Sequence, residues 1–249
     1  MNDMNPVPPV IPRPAQTPTS LPPLGENPEE RQPIPNALVA VEAVLRQPRR
    51  LMYQLRQPRP GRLLGSMVFI VLLCALVYGA VVGTFSMGPQ LWAAPVKLAG
   101  GLLVSALICL PSLYIFTCLS GSRARLVEIC GLLAGFLMLM TILLVGFAPV
   151  AWLFSQSTQS LNWMAGLHLG FWLVATAFGL RFLHAGFAHT GPRSFGGLNV
   201  WVVIFLLVAL QMTAALRPMV GTADTFFPKE KKFFVTYWGE CLAGPRPMQ

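Results

Sequence analysis

Five long apolar runs, near residues 63–87, 97–118, 126–149, 161–183 and 198–216, constrain this chain more than any other feature. About 20 residues at roughly 1.5 Å rise carry a helix across the hydrocarbon core of a bilayer, and each run has about that reach. In hydrocarbon every backbone polar group must be satisfied within its own segment or within a closed barrel. Runs without period-two alternation do not read as barrel strands. The expected fold class is therefore all-α, a polytopic membrane bundle of five transmembrane helices. Only 11% of the residues are charged, against about 25% in soluble domains, which excludes an ordinary water-soluble globule.

The positive balance, 18 Lys and Arg against 9 Asp and Glu, reads as a topological signal and not as a nucleic-acid footprint. Arg46, Arg49, Arg50, Arg56, Arg59 and Arg62 crowd against the first run, and short flanks rich in Lys and Arg stay in the cytoplasm. Arg123, Arg125, Arg181 and Arg193 fall on the same side. The opposite side holds Lys97 and, in the tail, Arg217, Lys229, Lys231 and Lys232. The bias predicts a multi-pass protein of the plasma (inner) membrane with its N-terminus in the cytoplasm and its C-terminus outside.

Eleven of the 23 prolines lie within residues 1–35, which show no apolar periodicity. Such a segment buries too little surface to offset its ordering entropy, so a disordered arm, partly polyproline II, is expected. Its P-x-x-P spacings, Pro6 to Pro9 and Pro9 to Pro12, fit a docking motif, although a spacer is the simpler reading. Residues 36–62 form a basic juxtamembrane segment. Asn36 can cap a helix over 37–46 with Leu38, Val41, Val44 and Leu45 on one face. A second stretch, 49–57, gathers Leu51, Met52 and Leu55 on one face with arginines around them, the composition of an interfacial helix. The word Leu-Arg-Gln-Pro-Arg occurs at 45–49 and again at 55–59. The resulting collar, Arg46, Arg49, Arg50, Arg56, Arg59 and Arg62, is the candidate contact for membrane lipids or a protein partner. Beyond the five-helix region 63–216, the tail 217–249 places Phe234, Tyr237, Trp238 and Leu242 at helical spacing among lysines and reads as an interfacial helix.

Within the spans, ionisable groups are the usual pointers to function because they are costly there. Glu128 stands three residues after Arg125, where a local ion pair explains it. His168 is the one histidine well inside a span; it is a candidate proton relay or haem ligand, against the simpler reading of a hydrogen bond to a neighbouring helix. Gln211 can bond across helices in the same way. Gly79-x-x-x-Gly83, Gly131-x-x-x-Gly135 and Gly166-x-x-x-Gly170 let helices approach closely, within the chain or in a homo-oligomer. Pro111 is expected to kink the second span. Cys74, Cys109, Cys118 and Cys130 lie in or at the ends of apolar runs, and no C-x-x-C occurs, so neither a disulfide framework nor a zinc site is expected. The sequence has no G-x-S-x-G, no H-E-x-x-H and no phosphate-binding glycine loop. No catalytic, cofactor-binding or metal-binding residue is assigned, and the chain is not expected to be an enzyme.

A polar arm, a proline-marked amphipathic stretch (Leu45-Arg46-Gln47-Pro48-Arg49-Arg50-Leu51 through Leu55 to Pro58), five spans and a short far-side end resemble the Yip1 family, its bacterial members in particular, over about 44–215. The resemblance implies a non-enzymatic scaffold or membrane-organising protein. The eukaryotic members bind small GTPases in vesicle traffic, but their Asp-Leu-Tyr-Gly-Pro word is absent here, so GTPase binding is not carried over. A reading from another class is a small transporter or channel component built on the kinked second span and His168.

Topology is testable at Cys241, which lies well away from every apolar run. A membrane-impermeant thiol reagent is expected to label it in intact cells; labelling only after permeabilisation would put the tail inside.

Overall fold

Apolar sequence in hydrocarbon leaves the backbone no hydrogen-bond partner but itself, and each of the five runs is helical where described. A computed structural model describes residues 22–85, 90–122, 124–158 and 160–215. After a 3-10 turn at Pro28–Arg31 come two short helices, α1 (Ala37–Arg46) and α2 (Pro48–Leu55). Five long ones follow: α3 (Gly61–Thr84), α4 (Gln90–Leu119), α5 (Leu126–Ser157), α6 (Leu161–Ala188) and α7 (Gly196–Ala215). All five are long and apolar enough to cross a membrane, and the described residues contain no strand. The all-α, five-helix fold expected from the sequence is the fold observed.

α4, α5 and α6 are longer than their apolar runs, α6 continuing past Leu183 to Ala188. α4 begins at Gln90 and passes through Pro95, and α5 continues past Pro149 to Ser157, so the stretches 90–95 and 150–157, read as loops, are helical. A proline removes one backbone hydrogen bond, and apolar neighbours on both sides still have no better option than helix. One consequence corrects the sequence reading. Lys97 does not border the far side: it lies two turns inside α4 and is only 2% exposed.

α5 is the axis. In its apolar window 67% of the residues are buried, against 22–44% in the other four spans, which therefore turn most of their side chains outward. α3 and α6 pack on α5, α4 packs on α3, and α7 packs on α4. Close approaches set these contacts. A Cβ on Gly79 would lie 2.5 Å from the Cα of Pro95 on α4; one on Gly135 would lie 2.6 Å from the Phe182 ring; one on Gly179 would lie 2.8 Å from the Phe136 ring. By contrast, Gly166 and Gly170 have nothing within 4 Å. Pro111 interrupts α4 without ending it. There the Cys109 carbonyl accepts both the Ser112 hydroxyl and, from α7, the Trp201 indole N–H, each at 2.8 Å.

The N-terminal segment folds over one end of the bundle. Pro48 occupies the first position of α2, where its missing N–H leaves no bond unmade, and α2 buries Leu51, Met52 and Leu55 against α5 and α6. Two glycines make the seat: a Cβ at Gly131 would meet Leu55, and one at Gly186 would meet Leu132 and Met52. α2 is thus seated on the bundle rather than free at its surface. α1 presents Ala40, Ala43 and Val44 to α3 and α5 while Leu38 is 82% exposed and Leu45 48%, so its inward face is set by small residues that allow close contact and not by its leucines. Part of the arm expected to lack structure is folded. Residues 22–35 pack on α2 through the turn at Pro28–Arg31, while 1–21 lie outside the described residues, as does the tail from 216 with Phe234, Tyr237, Trp238 and Cys241.

Gly79→Val forces a side chain onto the backbone of α4 and is expected to lower stability by about 1–3 kcal/mol. Gly166→Ala meets open space and is expected to leave stability unchanged or raise it by up to about 1 kcal/mol. The melting midpoint of the purified protein in mild detergent checks both.

Candidate functional site

Polar side chains gather at two places, beneath the N-terminal cap and in the opposite half of the spans. At the cap, α2 places successive arginines against a carboxylate and the carbonyls of the segment before it. Arg49 Nε donates to Glu30 Oε1 at 2.5 Å and its Nη2 to the carbonyls of Pro22 and Pro23. Glu30, itself buried, also accepts the Gly25 N–H. Arg50 is buried and donates to the carbonyls of Gln32 and Pro33 and to Gln47 Oε1. Both arginines therefore fasten the segment 22–33 to α2.

A second cluster fastens α2 to the long helices. Arg56 Nη2 donates to the His189 carbonyl at 2.5 Å, and its Nε lies 3.8 Å from Glu128 Oε2. Arg125 Nε donates to Glu128 Oε1 and its Nη2 to the Arg56 carbonyl, both at 2.9 Å. The sequence indicated the Arg125–Glu128 pair but not Arg56, which folding brings in from far along the chain. Of the remaining collar residues, Arg46 lies 4.0 Å from Glu42 on the outer face of α1, and Arg59 and Arg62 are exposed.

Glu30 of the cap and His189 beneath it respond to these surroundings in the same direction. The Arg49 guanidinium holds the Glu30 carboxyl below its ordinary value despite burial. Burial first, then the charges of Arg49 and Arg56, push His189 below its own.

In the opposite half of the spans, the Tyr78 hydroxyl of α3 and His168 Nδ1 of α6 are hydrogen-bonded at 2.8 Å, ring edge to ring face. Among the described residues His168 Nε2 is buried with no partner. The helix-to-helix bond read for His168 is present, and its partner Tyr78 was missed. The available signal was a tyrosine mid-span, since a buried phenol needs a hydrogen-bond partner. Lys97 is buried on α4, and Gln211 is half-buried near the end of α7. His184 joins α6 to α7 through Asn199 Oδ1 at 3.0 Å. Among the described residues no three His, Cys, Asp or Glu side chains are placed to hold a metal ion.

Comparison with family models, with curated proteins and with solved structures finds no match to this chain.

Because the folded values of Glu30 and His189 are both lowered, the undocked cap binds more protons than the docked one, and docking weakens as pH falls. The loss begins below 6.5, the unperturbed value of His189, and continues below 4.5, that of Glu30. Hydrogen exchange of residues 37–55 against pH is expected to show protection falling in these two steps. His189→Gln should remove the first step only.

Proposed function

We propose that the chain is a non-enzymatic membrane scaffold, a Yip1-like organising protein, with its N-terminal cap as the surface turned toward a partner. The filled axis supports this reading. Phe136, Met138, Met140 and Leu144 of α5 and Trp201 and Phe205 of α7 are each 2% exposed or less. A carrier moves its solute past polar groups that line a route between helices, whereas large apolar side chains occupy the middle of this bundle. In this reading the arginine-bearing end faces the cytoplasm of an inner-membrane protein. Gly166 and Gly170 are where a partner helix or a second copy meets the bundle, since Gly79, Gly131 and Gly135 already receive groups from within the chain.

His168 Nε2, without a partner among the described residues beside Tyr78, with Lys97 buried on α4, favours a second reading, a small transporter or channel component. Purification of the full chain in mild detergent followed by mass spectrometry separates the two. A stoichiometric protein partner, or a defined oligomer lost on Gly166→Leu, is the expected result. Solute or proton flux in liposomes that His168→Gln abolishes would overturn the scaffold.

A further inference from the structure

The collar arginines differ in what the fold leaves them to do. Arg49 and Arg50 are enclosed by Glu30 and by the carbonyls of the segment they fasten. Arg56 and Arg125 are not: the two guanidiniums share one carboxylate, Glu128, which leaves one positive charge in excess at that point. Among the described residues nothing accepts a hydrogen bond from Nη1 of either. Arg125 immediately precedes α5, and Arg56, just after α2, reaches the His189 carbonyl just beyond α6, so both stand at one end of helices long and apolar enough to cross a membrane. Beside them at the start of α5, Leu126 and Val127 are exposed apolar side chains. Cationic pair and apolar side chains together match an amphiphile with an anionic head.

We propose that Arg56 and Arg125 form a binding site for the phosphate of an anionic phospholipid, whose acyl chains run along the apolar side chains exposed beside them on α5. Paired N–H donors on a planar guanidinium match the oxygens of a phosphate, and a neutral zwitterionic headgroup lacks the net charge that the excess calls for. Glu128 orients the two guanidiniums and tempers their charge. The site stands apart from the scaffold reading, since its occupant is a lipid and not a protein.

The test is native mass spectrometry of the full chain in detergent, titrated with phosphatidylglycerol or phosphatidylcholine. Phosphatidylglycerol is expected to be retained in preference. Each arginine near an anionic surface contributes about fivefold in affinity, so the Arg56→Gln, Arg125→Gln double variant should lose about 25-fold. Arg56→Lys with Arg125→Lys keeps the charge but not the paired donors and should lose part of the preference, though less than the glutamine pair, and Glu128→Gln should hold or strengthen it. These two variants carry the test if the glutamine double does not fold. Equal retention of the two lipids by the native chain would overturn the site. So would a loss on Arg59→Gln with Arg62→Gln as large as that of the first pair, which would mark a diffuse collar. Displacement by millimolar inorganic phosphate would assign the arginines to a soluble anion and overturn it as well.

Discussion

A leucine already surrounded by lipid tails gains no hydrophobic free energy by touching another helix, so transmembrane helices associate through close contact and hydrogen bonds. Everything else in this bundle depends on where that closeness is possible. Gly79 against Pro95 sets the crossing of α3 and α4, and Gly135 against Phe182 with Gly179 against Phe136 sets α5 and α6. α7 is then held by the Trp201 indole on the Cys109 carbonyl and by the edge-on contact of Phe205 with Phe136. Bulk on one helix meets absence of bulk on its neighbour, and α5 ends up enclosed.

The two ends of the bundle solve different electrostatic problems. Under the cap, charges face charges: Glu30 with Arg49, and Glu128 with Arg56 and Arg125. The Glu30–Arg49 and Arg56–Glu128 pairs join segments distant in sequence, while Arg125–Glu128 is local; the long-range pairs fix geometry more than they add stability, as expected for partly exposed ion pairs. In the opposite half a single bond between Tyr78 and His168 links α3 to α6, with Lys97 and Gln211 as the other polar side chains there, and among the described residues one imidazole nitrogen has no partner. A buried unpaired polar atom costs on the order of 1–3 kcal/mol, so its persistence is a feature of the fold that packing alone does not explain.

Much of the fold was legible because hydropathy is a local property: five runs gave five helices. The ends were less legible, since helix limits near Pro95 and Pro149 depend on what surrounds the proline and not on the proline itself. Lys97 was misplaced for that reason. The cap was half legible. The face of α2 bearing Leu51, Met52 and Leu55 could be read from its spacing, but its seat at Gly131 and Gly186 belongs to helices far along the chain. The same distance hid the third member of the Arg125–Glu128 pair and the tyrosine opposite His168. Spacing along a helix reports what a side chain can face; it does not report what arrives there.

The docked cap also sets an order of events during synthesis. Arg56 and the His189 carbonyl it holds are 133 residues apart, and at roughly 5–20 residues per second the second emerges roughly 7–27 s after the first. Until then the seat of Leu51, Met52 and Leu55 is incomplete, since Gly186 of α6 has not yet joined Gly131 of α5, and the boundary between headgroups and acyl chains is the nearest apolar medium. The interfacial helix read from the sequence and the seated helix of the structure are then successive addresses of one segment, which leaves the bilayer surface once α5 and α6 have assembled a place for it.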